Sequence, residues 1–121
     1  MTQPHGKKVW LIADCYYPGT SQGAKSHDAA CVLNTGDQDA HLTLTLYFED
    51  REPVQFISSC PAQRTHHIRL DKLSQGGISV PTDVPYALLI ESSCPVIVQY
   101  SRLDTSLGGM ALMTTMAYPS E

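Results

Sequence analysis

The sequence predicts an all-β fold, an antiparallel β-sandwich of about eight strands in a single domain. Short runs of apolar and β-branched residues recur at regular spacing, with Gly, Pro, Asn or Asp between them. No segment has the 3.6-residue apolar period of an amphipathic helix. The 121 residues are enough to bury one hydrophobic core, and neither a linker nor a repeat divides them, so residues 1–121 form one domain.

The first half of the chain predicts four strands. They extend over Lys8 to Ala13, Asp28 to Leu33, Ala40 to Phe48 and Val54 to Ser58. The third strand has the clearest alternation, because Leu or Phe recurs at every second position. The segment Tyr16 to Ser26 separates the first two strands, and its Gly, Ser and Pro content indicates a long loop, a feature that often carries function.

The stretch Tyr86 to Thr105 organises the second half of the chain. It contains two apolar, β-branched runs, Tyr86 to Glu91 and Val96 to Leu103, and the sequence Ser-Ser-Cys-Pro between them predicts a turn. We therefore expect a hairpin of two antiparallel strands. Its second strand begins apolar and ends in polar side chains, so we expect it to deliver them to one rim of the domain.

Two further strands flank this hairpin in the sequence. Thr65 to Leu70 precedes it and places alternate residues on two faces, and one helical turn at Asp71 to Leu73 follows that strand. Met110 to Tyr118 comes after the hairpin and alternates in the same way. The glycines at 76–77 and the prolines at 81 and 85 indicate irregular connections.

Composition argues against two classes of function. The net charge of −4 argues against the broad positive surface of a nucleic-acid-binding protein. No apolar run approaches the roughly 20 residues of a membrane-spanning helix, and Met1 to Lys8 does not begin a cleavable signal peptide. We therefore expect a cytoplasmic protein that is not embedded in a membrane. The four cysteines lie apart from one another, which favours free thiols in a reducing compartment, although disulfides remain open for a secreted chain.

The histidines and hydroxyl residues predict neither a metal site nor a catalytic centre. His27, His41 and the neighbours His66 and His67 could supply imidazole ligands, and three converging imidazoles would suit zinc. However, adjacent residues of a strand point to opposite faces, and no H-x-H or H-x-x-x-H spacing occurs. A G-x-S-x-G motif and a P-loop are both absent from the sequence. We therefore expect a protein that is not an enzyme and that has no catalytic residue, metal or cofactor.

Polar residues from two strands, with an aromatic residue beside them, predict a ligand site. The candidate residues are Trp10, His27, Thr65, His67, Arg69, Gln99, Arg102 and Asp104. Arginine offers a planar donor fork, glutamine a donor and an acceptor, aspartate an acceptor and tryptophan an aromatic face, and hydroxyl-rich or anionic ligands require this chemistry. The alternative is an ion pair of Asp104 with Arg102 or Arg69, which would tie strand ends together or bridge subunits.

Six segments of the chain resemble one protein family. They are W-L-I-A-D at Trp10 to Asp14, S-H-D-A-A-C-V-L-N at Ser26 to Asn34, G-D-Q-D-A-H at Gly36 to His41, P-A-Q-R-T-H-H-I-R at Pro61 to Arg69, P-V-I-V-Q-Y-S-R-L-D at Pro95 to Asp104, and A-L-M-T-T-M-A-Y at Ala111 to Tyr118. Together they resemble the cyanobacterial sensory rhodopsin transducer family, small soluble bacterial proteins of this length. The resemblance covers nearly the whole chain, and the loop at Tyr16 to Lys25 departs from the family pattern.

The resemblance implies a β-sandwich protomer that assembles as a homotetramer. Family members are similar to carbohydrate-binding sandwiches, which implies that the chain binds a small polar, carbohydrate-like ligand, relays a signal from a receptor such as a sensory rhodopsin, or does both. The alternative is a protein–protein adaptor or structural oligomer without a small-molecule ligand. Met110, Met113 and Met116 would offer an adaptable apolar contact between protomers, unless they belong to the core.

Overall fold

In the computed structural model, which describes residues 3–120, the chain forms the antiparallel β-sandwich that its sequence predicts. Met1, Thr2 and Glu121 lie outside the described residues, and with them part of the expectation for Met1 to Lys8. The strands are β1 (Lys7–Cys15), β2 (His27–Asn34), β3 (Ala40–Phe48), β4 (Val54–Cys60), β5 (Arg64–Arg69), β6 (Ser74–Gln75), β7 (Ile78–Ser79), β8 (Tyr86–Asp104), β9 (Ala111–Met116) and β10 (Tyr118–Ser120). One turn of 3₁₀ helix, Leu70–Lys72, begins one residue before the predicted helical turn.

The strand β8 is continuous over 19 residues, so the predicted hairpin is wrong. Its first half pairs with β1 and β3, and its second half pairs with β2 and β9. Pairing with β3 ends at Ser92, and pairing with β2 starts at Ile97. Pro95 lies in this gap, where its missing N–H removes no hydrogen bond to either strand. The chain therefore stays extended through a segment whose composition is typical of a turn.

Because of this length, β8 belongs to both sheets of the sandwich. The first sheet has the order β10-β1-β8-β3-β4 and the second has the order β9-β8-β2-β5, with antiparallel pairing throughout. A separate small hairpin, β6 and β7, occupies a segment that the sequence predicts as irregular. It turns through Gly76 and Gly77, whose positive φ values of 60° and 80° suit glycine.

The hydrophobic core lies between the two sheets and consists of alternate residues of their strands. In β3 the three leucines are buried, as the predicted period of two requires. Ile68 and Leu70 are buried on the face that the sequence predicts, whereas His66, which shares their parity, is exposed. The largest fully buried side chains are Tyr100, Phe56, Leu42, Leu44, Leu46, Leu70, Leu88, Ile90, Val32, Val96, Val98 and Asn34.

Residues 16–26 form the long irregular segment that the sequence predicts, and hydrogen bonds hold both of its ends. Near its start, Asp83 Oδ1 accepts hydrogen bonds from the Tyr16 hydroxyl at 3.2 Å and from the Gly19 N–H at 2.9 Å. At its end, the buried hydroxyls of Ser26 and Thr105 lie 3.2 Å apart. Since Asp83 precedes β8 and Thr105 follows it, the loop is attached to the segments at both ends of this strand.

Candidate ligand-binding site

His67 and Gln99 lie on either side of Cys31 on the outer face of the second sheet. In the antiparallel register, Cys31 of β2 is opposite His67 of β5 and also opposite Gln99 of β8. The neighbours of Cys31 along β2, Ala30 and Val32, are fully buried, whereas His67 and Gln99 are exposed. The register therefore brings together two predicted ligand residues from different strands, in a line that we call the polar row.

The polar row crosses three neighbouring strands of the second sheet. Neighbouring strands are about 4.8 Å apart, so the backbones of His67 and Gln99 are about 10 Å from each other. The small side chain of Cys31 lies between them, with its Sγ 3.8 Å from the hydroxyl of Ser101. An imidazole and a carboxamide together supply donors and acceptors, which is what a hydroxyl-rich ligand needs.

Three more predicted residues, Thr65, Arg69 and His27, share the outward parity of the polar row and make hydrogen bonds within the protein. The Thr65 hydroxyl donates to a carbonyl of β2 at 3.2 Å, and His27 Nδ1 lies 2.9 Å from a carbonyl oxygen two residues away. Arg69 donates through Nε and Nη2 to the two carboxylate oxygens of Asp71, at 2.8 and 2.9 Å. These contacts fix the orientation of the polar groups that border the row.

Asp71 holds the Arg69 guanidinium and connects it to the loop. The Asp71 side chain has no exposed surface, and Lys25 Nζ lies 3.2 Å from its Oδ2. Burial disfavours the charged carboxylate, but hydrogen bonds from Arg69 and Lys25 keep the pKa of Asp71 below its usual range. Arg69 is engaged with Asp71, so the alternative in which an Arg69–Asp104 pair ties strand ends together does not hold within the protomer.

Trp10, Arg102 and Asp104 lie apart from the polar row. Trp10 belongs to the core with 5% of its surface exposed, and its Nε1 donates to two backbone carbonyls at 3.0 Å. It therefore cannot offer its ring to a ligand in this structure. Arg102 and Asp104 have the inward parity of β8, whereas Gln99 has the outward one. The structure does not bring the eight candidate residues into one site.

Arg102 contacts the end of β1 instead of Asp104. Its Nη2 lies 3.3 Å from the Asp14 carbonyl oxygen and 3.6 Å from the Asp14 carboxylate, and its Nε donates to the Tyr100 hydroxyl at 3.3 Å. Asp104 accepts a hydrogen bond from the Ser106 N–H at 2.9 Å, and hydrogen bonding by Ser106 keeps the pKa of Asp104 below its usual range. The alternative of an Arg102–Asp104 pair does not hold within the protomer, where Arg102 ties β8 to β1.

Asp28, a carboxyl in the interior of the sandwich, is not among the residues that the sequence predicts as functional. Asp28 is fully buried, and its Oδ2 accepts hydrogen bonds from the hydroxyls of Tyr86 at 2.5 Å and Tyr100 at 2.7 Å. Its Oδ1 has no hydrogen-bond partner within residues 3–120. The inward parity of Asp28 with Ala30 and Val32 was a signal in the sequence, because it puts a carboxyl on the buried face of a strand.

The segment that contains β9 is uncharged and exposes several large apolar side chains. All six residues of β9 are exposed, and no charged residue occurs from 105 to 120. The exposed fractions of Met110, Met113 and Met116 are 66%, 40% and 53%, so the alternative that they belong to the core does not hold. The large exposed side chains of this β9 surface are Leu107, Met110, Leu112, Met113, Met116 and Tyr118.

Within residues 3–120, no three His, Cys, Asp or Glu side chains are grouped in a way that could hold a metal ion. The four cysteines have free thiols. The described part of the chain contains no helix with the length and apolar character needed to span a membrane.

The chain is similar to proteins of a known family. Residues 5–119 match the family model of the Anabaena sensory rhodopsin transducer. The crystal structure of Thermotoga maritima 1070 is 37% identical, with a TM-score of 0.88 and a match that covers 96% of this chain and 97% of that chain. The Anabaena sensory rhodopsin transducer is 38% identical, with a TM-score of 0.76 and coverage of 84% of this chain and 92% of that chain. No protein with a curated function matches the sequence. The family resemblance inferred from the sequence is confirmed.

Proposed function

The chain belongs to the Anabaena sensory rhodopsin transducer family, and on this basis we propose that it is a non-catalytic signal transducer that binds a small polar ligand, relays a signal from a receptor, or does both. The match over residues 5–119 carries the transducer role. The relative from Anabaena is named for a sensory rhodopsin, which favours a membrane receptor of that type as a partner. Free thiols favour a cytoplasmic location.

The ligand-binding part of the proposal rests on the register of the polar row. His67 and Gln99 face solvent across Cys31, and the span of about 10 Å between their backbones suits a ligand of the size of one or two sugar rings. Thr65 and Arg69 would border such a ligand on β5. We propose a carbohydrate-like compound, because hydroxyl groups pair with both the donors and the acceptors of this set.

A homotetramer is the proposed assembly, and the β9 surface is the proposed contact. Two copies of a chain with a net charge of −4 repel each other, and residues 105–120 add no charge to the β9 surface, so association there limits that repulsion. An exposed, uncharged edge strand is also prone to pair with another strand. The exposed methionines would adapt to the facing side chains.

The alternative function is a protein–protein adaptor or structural oligomer without a small-molecule ligand. The observation that favours it is the β9 surface, since an apolar patch of several large side chains is typical of a docking site. In that case the polar row would be an ordinary solvated sheet face.

A thermal melting screen against sugars, nucleotides and organic anions tests the ligand. A compound that binds only the folded protein raises the melting temperature by mass action. We expect a sugar to do so, and we expect His67→Ala and Gln99→Ala each to weaken its binding at least tenfold. His41→Ala is the matched control, because His41 is an exposed strand histidine on the outer face of the first sheet.

Two outcomes contradict the ligand site. Stabilisation that is unchanged in His67→Ala and Gln99→Ala would place the ligand elsewhere. An absence of stabilisation by all three compound classes, together with calorimetric binding of a purified sensory rhodopsin, would favour the adaptor alternative. A monomeric mass by light scattering at micromolar concentration would contradict the homotetramer in either case.

A further inference from the structure

Asp28 is a carboxyl group in the core, and its two oxygens differ in their hydrogen-bond partners. Both tyrosine hydroxyls, from Tyr86 and Tyr100, donate to Oδ2 at 2.5 and 2.7 Å, and Oδ1 has no hydrogen-bond partner within the described part of the chain. A buried carboxylate anion requires donors on both oxygens to replace the water that it loses. A proton on Oδ1 finds no acceptor either, but an unpaired neutral hydroxyl costs less to bury than an unpaired charge, so the arrangement suits a neutral acid better than an anion.

The Asp28 cluster connects the two sheets and the loop. Tyr86 lies in the half of β8 that belongs to the first sheet, whereas Tyr100 and Asp28 lie in the second. The Tyr100 hydroxyl also accepts hydrogen bonds from the Tyr16 backbone N–H at 3.1 Å and from Arg102 Nε at 3.3 Å. One donated and two accepted hydrogen bonds use the full capacity of this hydroxyl. Tyr16 is the first residue after β1, so the cluster reaches the start of the loop.

The groups around Asp28 do not provide a counter-ion in contact with it. On β8, Arg102 is opposite Asp28 in the register, but its guanidinium contacts the Tyr100 hydroxyl and the backbone and carboxylate of Asp14. On β1, Cys15 is a buried thiol, and in the 3₁₀ turn Asp71 adds negative charge that Arg69 and Lys25 neutralise.

Burial is the largest influence on Asp28 and raises its pKa, and the Asp71 charge acts in the same direction. The two tyrosine hydrogen bonds and the Arg102 charge oppose this shift, and the pKa stays above its usual range. Burial and the nearby Asp28 also raise the pKa of both tyrosines, so their hydroxyls remain hydrogen-bond donors.

We propose that Asp28 carries a proton in the folded protein and that the cluster of Asp28, Tyr86 and Tyr100 is a proton-operated latch between the two sheets and the loop. Loss of the proton leaves an anionic oxygen in the core without a donor. Water can reach Oδ1 only if a neighbouring segment of the chain moves. Among the residues that contact this network, Tyr16 belongs to an irregular segment and not to a strand, so it is the part expected to move. Deprotonation therefore releases the Tyr16 N–H from Tyr100 and opens the start of the loop.

Infrared spectroscopy and hydrogen exchange across pH test the latch on the intact protein. We expect a carbonyl band of a protonated carboxylic acid that persists above the pH at which exposed carboxyls ionise and that is absent in Asp28→Asn. Amide exchange at residues 16–26 should rise with the same midpoint as the loss of this band. Each unit of difference between the pKa of Asp28 in the folded state and in the unfolded state corresponds to a tenfold change in the folding equilibrium. Asp37→Asn removes an exposed carboxyl and should leave both signals unchanged.

Three results would overturn the latch. The first is the absence of an Asp28-dependent acid band at any pH above the range of exposed carboxyls. The second is loop exchange with the same pH dependence in Asp28→Asn as in the parent protein. The third uses Tyr86→Phe, which keeps the ring and removes one hydrogen bond that favours the ionised form of Asp28. The midpoint of the acid band and of loop exchange should then move to higher pH. A midpoint that does not move contradicts the proposal even if Asp28→Asn fails to fold.

Discussion

Asp28 and Asp71 are two aspartates whose side chains have no exposed surface, and their surroundings are opposite in character. Asp71 lies between two cations: Arg69 contacts both of its oxygens, and Lys25 approaches one of them. Asp28 has only hydroxyl partners on one oxygen and none on the other within residues 3–120. The same side chain is therefore held by ion pairs in one place and by neutral groups in the other.

Burial alone does not decide the charge of a carboxyl group. Burial acts on both residues, yet the pKa of Asp71 is lowered because cations donate to it, whereas the pKa of Asp28 is raised. The two groups should therefore affect stability at opposite ends of the pH scale. Asp71 stabilises the fold above its unfolded pKa of about 3.9, and this contribution is lost as pH falls through its folded pKa. Asp28 stabilises the fold at low pH, and its contribution is lost as pH rises through its folded pKa.

Arg69→Ala should have the largest effect, because it leaves the buried Asp71 carboxylate with Lys25 as its remaining cation. We expect the free energy of unfolding at neutral pH to fall by about 3 kcal/mol, near the lower end for breaking a buried ion pair. Urea denaturation at pH 7 and at a series of lower pH values measures it, and the difference between variant and parent should shrink as the pH falls through the folded pKa of Asp71.

Arg64→Ala is the matched control for this experiment, since Arg64 is an exposed arginine on the same strand. Its effect should be below about 0.5 kcal/mol. Equal losses in the two variants would mean that the ion pair of Arg69 with Asp71 stabilises the fold no more than an exposed arginine does.

Tyr86→Phe tests the hydrogen bonding of Asp28, the aspartate that is held by uncharged groups. It removes one of the two hydroxyl donors of Asp28 and leaves the ring in place. Tyr100 still donates to Oδ2, so the free energy of unfolding should fall by about 1.5 kcal/mol, the upper end for one hydrogen bond. Thermal or urea denaturation measures the loss. Tyr118→Phe is the control, because Tyr118 is 70% exposed and its hydroxyl can bond to water. An effect of Tyr86→Phe no larger than that of Tyr118→Phe would show that Asp28 does not depend on this hydroxyl.

The fold was predictable where side-chain periodicity decides it, and not where distant partners decide it. The predicted strand Ala40 to Phe48 agrees with β3 at both ends, because alternating leucines leave only one face to bury. The segment Ser92 to Pro95 has the composition of a turn, yet it lies inside β8. Its conformation depends on β2 and β3, which pair with different halves of β8 and come from earlier parts of the sequence. A local pattern cannot reveal that arrangement.

The candidate site was predictable in part. The sequence places Thr65, His67 and Arg69 on one face, and the structure gives them the same parity on β5. It groups Gln99 with Arg102, although residues three apart on one strand point to opposite faces, so the period of two could have separated them. The meeting of His67 with Gln99 across β2, and of Asp28 with its two tyrosines, depends on strand order, which the wrong hairpin concealed.

Arg102→Ala should have the smallest effect and decides whether Arg102 belongs to the Asp28 cluster as a counter-ion. Arg102 has a side chain that is 19% exposed, but that of its ion-pair partner Asp14 is 87% exposed and stays hydrated when the arginine is removed. We therefore expect a loss of about 1 kcal/mol in the free energy of unfolding, the upper end for a surface ion pair, and unchanged ligand binding at the polar row. Asp14→Asn is the control, because it removes the ion pair and leaves Arg102 free to bond to Tyr100 and to the carbonyl at position 14.

The Arg102→Ala result also tests the contrast between the two aspartates. Without the Arg102 charge, the pKa of Asp28 should rise further, so the variant should hold the Asp28 proton to higher pH than the parent protein does. Urea denaturation and the infrared acid band, followed on the same preparation, measure the two effects. A stability loss of about 3–5 kcal/mol at neutral pH would be the cost of leaving a buried charge uncompensated. Asp28 would then be an anion paired through Arg102, and the two buried aspartates would share one mechanism.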